Sequence, residues 1–328
     1  MNTSATNLLT TVFTKDTQFL ITGGAGFIGA NLVEAFLSKG YKVRVLDNFS
    51  TGCQSNLAEF IGNPNLEIIE GDIRDPEVCI QACTGVDHVL HNAALAHILG
   101  SINSPLLYQN VNITGFLNML EAARVCKVKR FVYASSSGVY GDSVIIPKTE
   151  GFHGTPQSPY GLTRLTAEHY GELYTKLYGL ATYGLRYFNV YGPKQATQGA
   201  SAGVVAIFTK ALMGGNAPEI YGDGTQTRDF VYVDDVVDAN IKACLADEKY
   251  AGESFNVGTG TGVELLQLYR TICSILQVDI RPKYAPVRTG DIKFNFADVE
   301  KAKYMLEHEY QYELNQGLEK YIAWCKKQ

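Results

Sequence analysis

Three groups of residues in this 328-residue chain have the types and spacing that chemistry requires. The first is Thr22-Gly23-Gly24-Ala25-Gly26-Phe27-Ile28-Gly29, in which Gly23, Gly26 and Gly29 form GxxGxxG. A tight turn needs positive φ, a pyrophosphate needs a close backbone, and a helix packed on a strand needs a missing side chain. A helix opening here turns its first N–H groups, those around Phe27 and Ile28, and its partial positive charge toward phosphates. Asp47, followed by Asn48, ends the next apolar run. A carboxylate there accepts the adenosine ribose hydroxyls and repels a 2′-phosphate, and no arginine follows directly, so the pattern favours NAD over NADP. The second group is Ser135-Ser136-Ser137, ahead of Gly138-Val139-Tyr140-Gly141. The third is Tyr160 and Arg164, four apart and therefore on one face of a helix. Among 20 tyrosines, Tyr160 alone reads more simply as a structural aromatic.

These groups need a scaffold. Phe19–Thr22, Lys42–Leu46, Leu66–Glu70, Val86–His91 and Arg130–Ala134 read as strands, and Ala30–Ser38 as a helix that Gly40 ends. Strand and helix in alternation predict an α/β fold, a Rossmann-type doubly wound parallel sheet. Asp72-Ile73 and Asn92-Ala93-Ala94 follow the third and fourth strands. There Asp72 and Ile73 would flank an adenine, and Ala93 and Ala94 would let the chain run against a dinucleotide. Beyond about Tyr183 glycine turns cluster, which predicts a smaller C-terminal α/β lobe. The division is residues 1–183 for the dinucleotide and 184–328 for the substrate, with part of 229–257 returning to the first domain.

From about Phe19 to Trp324 the chain resembles the extended short-chain dehydrogenase/reductase superfamily, and within it the UDP-hexose 4-epimerases. The resemblance implies an enzyme in which Tyr160 is the general base and Ser136 orients the sugar 4-hydroxyl, with Ser137 a possible helper. NAD takes hydride from C4 and returns it to the other face of a transient 4-keto sugar. Asn112 matches the family asparagine near this cluster, although a helix-start cap fits equally well. The family carries lysine where this chain has Arg164. The cation binds the nicotinamide ribose and favours the phenolate; bringing a free tyrosine from a pKa of ~10 to ~7 needs about 4 kcal/mol. Guanidinium charge is broader and more diffuse than ammonium. Arg164 is therefore expected to hold NAD and to shift the pH optimum upward.

The same resemblance assigns the substrate half. Asn189 contacts the diphosphate, with Phe188 beside the nicotinamide. Val204 and Tyr221 lie by the nucleotide. Arg228 and Arg288 hold the pyrophosphate, for which fork-like donors suit phosphate oxygens, and Asp291 takes the ribose. Asn295 stands at the gatekeeper position facing the sugar 2-substituent, where a small polar side chain could admit an N-acetyl group. Dehydrating and decarboxylating relatives carry an acidic residue beside the active-site serine or threonine; here Ser137-Gly138 follows Ser136. The expected substrates are UDP-GlcNAc/UDP-GalNAc, and also UDP-Glc/UDP-Gal. A UDP-glucuronate epimerase, a dehydratase, a decarboxylase or a catalytically silent NAD and sugar-nucleotide sensor remain as alternatives. The Ala96-His97-Ile98-Leu99-Gly100 stretch departs from the N-acetyl-hexosamine branch.

Bulk properties narrow the rest. With 28 basic and 33 acidic residues the net charge is -5, and no basic stripe invites nucleic acid. Seven scattered cysteines show no metal-ligand spacing, so no metal is expected and free thiols in a reducing cytoplasm are the simplest reading. Met1–Asp16 lacks the pattern of a signal peptide, and no apolar run approaches the ~20 residues a membrane span needs. The resemblance implies a homodimer formed near Phe116–Cys126 and Tyr160–Leu177.

Overall fold

The computed structural model describes residues 13–197, 202–287 and 292–328. Its centre is a parallel sheet of seven strands: β1 (Gln18–Thr22), β2 (Lys42–Asp47), β3 (Leu66–Glu70), β4 (His88–His91), β5 (Arg130–Ser136), β6 (Thr182–Tyr187) and the strand Ser254–Val257. The order is Ser254–Val257, β6, β5, β4, β1, β2, β3. Phe19, Leu20 and Ile21 of β1 are all fully buried. Such a continuous apolar run, rather than alternation, is what a strand covered on both faces requires.

The helices that cover it are α1 (Phe27–Ser38), α2 (Pro76–Cys83), α3 (Phe116–Val125) and α4 (Pro159–Tyr178). On one face α1 and the helix Val233–Leu245 bury Leu32, Val33, Phe36, Val236 and Ile241. On the other, α2, α3 and α4 bury Cys79, Phe116, Met119, Leu120 and Ala167 against Leu20 and Phe131. The order of strand addition reverses between the parallel neighbours β1 and β4, with β2 and β3 on one side and β5 and β6 on the other. A doubly wound sheet opens a ligand crevice at that switch point, beyond the carboxyl ends of its strands.

Two expected boundaries move. The first helix starts at Phe27, not Ala30. The division at 183 cuts β6, which pairs along its length with β5 and continues to Tyr187. The helix Val233–Leu245 packs on α1, β5 and β6, and Ser254–Val257 pairs with β6. The remaining C-terminal residues form a smaller core in which Phe208, Ile220, Leu268, Ile272, Leu318 and Tyr321 are buried.

Candidate active site

A cavity of about 1350 Å³ follows the carboxyl ends of the strands. That exceeds the few hundred to ~1,000 Å³ of a pocket for one small ligand. Its wall includes Gly23, Gly26, Phe27, Ile28 and Gly29, then Asp47, Asn48, Asp72, Ile73, Ala93 and Ala94, and finally Ser136, Tyr160, Arg164, Phe188 and Asn189.

The glycine turn is shaped for a dinucleotide. Gly23 has φ +66, and a Cβ on it would lie 2.8 Å from the Ala93 nitrogen. A Cβ on Gly29 would lie 2.1 Å from the Gly23 carbonyl oxygen, so only glycine lets α1 start this close to the turn. Gly26 caps α1 without a side-chain hydrogen bond, leaving first-turn N–H groups for an anion. Asp47, at 7% exposure, is fixed by the Ala25 N–H (2.9 Å) and the Phe49 N–H (2.8 Å), one on each oxygen. Each carboxylate oxygen keeps a further lone pair for a hydroxyl.

Asp72 is less open. Arg74 and Asn48 hydrogen-bond its carboxylate, and Arg74 holds it far below the usual carboxylate range. Beneath the turn, Thr22 Oγ1 meets His91 Nδ1 at 2.8 Å, and burial pushes the His91 pKa down to about 3, so the imidazole is neutral. Asn92 lies on the cavity wall, and neither polar atom of its buried amide has a protein partner. The residues present thus fit NAD: a cradle that a Cβ would fill, a carboxylate at the second strand's end, and an amide awaiting hydrogen bonds.

Asn112 lies within a π-helical turn, Asn110–Gly115, and so is not a helix-start cap. Its side chain accepts from the Leu95 N–H and donates to the Leu95 carbonyl and to Thr163 Oγ1. The amide is committed to the protein and is absent from the cavity wall. It clamps the loop after β4 onto α4.

At the inner end, α4 begins with Pro159, and Ser158 Oγ accepts the Gly161 N–H at 3.1 Å, which fixes where Tyr160 leaves the helix. Ser136 ends β5, and its Oγ accepts the Gly138 N–H at 3.1 Å. A Cβ on Gly138 would lie 3.4 Å from Ser136 Oγ and 3.8 Å from Tyr160 Cε1, so the hydroxyl and the phenol ring border one small volume. A Cβ on Gly161 would meet the Gly138 carbonyl at 2.7 Å; this glycine lets α4 close onto the serine turn. Arg164 places its guanidinium carbon 5.3 Å from the Tyr160 ring centroid. Its Nη1 donates to the Ala134 carbonyl at 2.9 Å, while its buried Nε has no protein partner.

Of the residues expected at the substrate in the C-terminal half, Asn189 lines the cavity, whereas Val204, Tyr221, Arg228 and Asn295 do not form part of its wall. Asn189 opens the strand Asn189–Tyr191, which pairs with Phe230–Tyr232. Phe188 is buried against Tyr140, with ring centroids 6.2 Å apart. Val204 is the first residue of the helix Val204–Met213, and Tyr221 ends the strand Glu219–Tyr221. Arg228 and Asn295 are register partners in adjacent parallel strands. Arg228 donates to the Thr227 and Ile292 carbonyls. The Asn295 amide nitrogen lies 3.5 Å from Ser137 Oγ, and its oxygen is buried without a protein partner. Arg288 and Asp291 lie outside the described residues.

Asp229, beside Arg228, went unremarked in the sequence. Fully buried, it accepts from the Thr259, Gly260 and Ala297 N–H groups and from Thr259 Oγ1. It ties together the segments that carry Arg228 and Asn295. Its carboxylate beside an arginine was the visible signal; its four donors were not. Among the described residues no cluster of His, Cys, Asp or Glu is arranged to hold a metal ion.

Residues 19–258 match the model of the NAD dependent epimerase/dehydratase family. The chain is 36% identical over 311 residues to a putative UDP-glucose 4-epimerase of Methanocaldococcus jannaschii, covering 94% of this chain and 98% of the relative. It superposes with a TM-score of 0.89 on the UDP-glucose 4-epimerase of Thermotoga maritima solved with UDP-glucose, at 39% identity over 95% of this chain and 99% of that one. A UDP-N-acetylglucosamine 4-epimerase from Methanobrevibacter ruminantium, solved with UDP-N-acetylmuramic acid, superposes at 0.91 with 35% identity over 96% and 99%. The chain belongs to the NAD-dependent epimerase/dehydratase family, the extended short-chain dehydrogenase/reductases, and its cofactor is NAD.

Proposed function

We propose that this enzyme is a 4-epimerase of UDP-sugars, interconverting UDP-GlcNAc with UDP-GalNAc and also UDP-Glc with UDP-Gal. The observation that carries the reading is the shared border of Ser136 and Tyr160 around Gly138, at the inner end of the cavity that begins at the glycine turn. Ser136 Oγ hydrogen-bonds the sugar 4-hydroxyl and fixes its direction. Tyr160 takes the hydroxyl proton as general base and returns it after the keto sugar has turned. Arg164, behind the ring, stabilises the phenolate and binds the nicotinamide ribose through its unpaired Nε. Bound NAD supplies the acceptor and then the donor of the C4 hydride. Asn189, Tyr221, Arg228, Arg288 and Asp291 hold the UDP moiety, so that one nucleotide anchor serves both faces of the sugar.

For the sugar, Asn295 opposite Ser137 offers an amide to a 2-N-acetyl group without blocking it. The Ser137-Gly138 sequence after Ser136 offers no acid for removing a 6-hydroxyl, which speaks against dehydration. We assign a homodimer: Leu162, Leu173 and Leu177 form an exposed stripe along α4, and Val125 is exposed at the end of α3. A cytoplasmic setting suits seven cysteines that are all free thiols. No helix among the described residues is long and apolar enough to cross a membrane.

The test is incubation of the purified enzyme with UDP-GlcNAc, UDP-Glc and UDP-glucuronate, with C4 epimers scored by NMR. Epimers of the first two are expected. Turnover of the uronate alone, or a 4-keto-6-deoxy product, would replace this reading.

A further inference from the structure

A chain of buried polar groups lies directly behind the Ser136 and Tyr160 wall. Glu168 is on α4, one turn beyond Arg164 and two beyond Tyr160, on the same face. Arg186, in β6, grips it with two parallel bonds, Nε to Oε1 at 2.9 Å and Nη2 to Oε2 at 2.7 Å. Ser135, immediately before Ser136, donates its hydroxyl to Glu168 Oε1 at 2.5 Å. Arg186 Nη1 reaches Tyr140 Oη and the Glu150 carbonyl, each at 3.1 Å. Tyr140 in turn donates to Asn256 Oδ1 at 2.5 Å. Glu168 and Arg186 are only 6% and 4% exposed, and neither forms part of the cavity wall.

The pair therefore joins the elements around the reacting pair: α4 with Tyr160 and Arg164, β5 with Ser136, the turn Ser137–Tyr140, and β6, which leads to Phe188 and Asn189. Stability alone gives a weak reason for it, because a buried ion pair replaced by apolar side chains of similar volume is often neutral or more stable. Geometry gives a stronger one. A bidentate guanidinium–carboxylate pair fixes distance and plane together. A misplacement of ~1 Å at a reacting centre costs on the order of 100-fold in rate.

We infer that Glu168 and Arg186 are positioning residues that set the register of Tyr160 against Ser136 through Ser135 and α4. This rests on the reading of Tyr160 and Ser136 as the reacting pair. The two can fail separately. If Tyr160→Phe still turns over, the reading of the site falls. If Tyr160→Phe is inactive while the network can be removed without effect, only the positioning inference falls.

The experiment compares the parent enzyme with the double variant Glu168→Leu/Arg186→Met, measuring melting temperature, bound NAD, KM for UDP-Glc, kcat and the pH dependence of kcat. The expected result is a folded, NAD-loaded protein with KM within about twofold and kcat lowered on the order of 100-fold. Its kcat–pH profile should also be displaced. A folded double variant with kcat and pH profile unchanged would overturn the inference. Should that variant not fold, Ser135→Ala removes only the link to the serine strand. It is expected to lower kcat about tenfold at unchanged KM, the effect of losing ~1.4 kcat-selective kcal/mol. A parental kcat in Ser135→Ala would then be the overturning result.

Discussion

Asn295 and Ser137 meet across 158 residues of sequence, the amide nitrogen of one 3.5 Å from the hydroxyl of the other. Ser137 directly follows Ser136, so Asn295, proposed to face the sugar 2-substituent, is tied to the strand end whose serine is proposed to orient the sugar 4-hydroxyl. Substitution of Asn295 by tyrosine fills this gap with a ring. Turnover of UDP-GlcNAc should fall by at least tenfold, while UDP-Glc is retained. The ratio of kcat/KM for the two sugars, measured by NMR or coupled assay, checks it; an unchanged ratio would remove Asn295 from sugar selection.

Arg164 holds Tyr160 with a diffuse cation anchored to the Ala134 carbonyl. Arg164→Lys replaces it with a compact, more strongly polarising charge. The pH optimum of kcat should move to lower pH with NAD still bound. An unchanged rate and pH profile would show that the guanidinium does nothing that an ammonium cannot.

Gly29 has no room for a side chain, since a Cβ would lie 2.1 Å from the Gly23 carbonyl. Gly29→Ala must push α1 off the turn and spoil the phosphate cradle. The variant should purify with little or no NAD and show a far weaker response in a titration with the dinucleotide. Full NAD occupancy would mean that the pyrophosphate sits elsewhere.

Asp235, fully buried at the start of the helix Val233–Leu245, has its pKa raised by burial from 3.8 to about 7, against the lowering effect of the Gln311 and Tyr312 N–H groups. A group whose folded pKa lies above its unfolded value favours folding most below the unfolded pKa. That contribution is lost as pH rises through the folded pKa. Stability should therefore decline between about pH 4 and pH 7 from this site. Asp235→Asn, which mimics the protonated acid, should flatten that decline in denaturant titrations at pH 5 and pH 7.5. A decline as steep as the parent's would place its source in other groups.

Asp229 accepts four hydrogen bonds in a fully buried setting. Asp229→Asn turns one acceptor into a donor facing N–H groups, at a cost of about 1–3 kcal/mol. Chemical denaturation should report that loss, together with a higher KM for UDP-sugars because Arg228 and Asn295 lose their common anchor. Undiminished stability and KM would mean the clamp is dispensable.

The sheet was legible because strands buried on both faces carry unbroken apolar runs, as in Phe19-Leu20-Ile21. The glycine turn and Asp47 were legible because backbone conformation and charge placement act locally. The end of β6 was not. Arg186, next to last in Thr182–Tyr187, looks unsuited to a buried strand until Glu168, 18 residues away, is seen to neutralise it. The clamp made by Asn112 was hidden for the same reason, since its partners Leu95 and Thr163 lie 17 and 51 residues away. The meeting of Asn295 with Ser137 spans 158 residues and belongs to tertiary structure alone. Glu168 could have been found, because its spacing from Tyr160 and Arg164 puts all three on one face of a helix.

The central claim is that the Tyr160 phenol removes the proton from the sugar 4-hydroxyl beside bound NAD. The most direct measurement is kcat for UDP-Glc epimerisation by Tyr160→Phe, on protein shown to bind NAD and UDP-Glc as the parent does. General-base catalysis contributes on the order of 10²–10⁴-fold, so kcat should fall by at least 100-fold with binding intact. A kcat within tenfold of the parent would contradict the account.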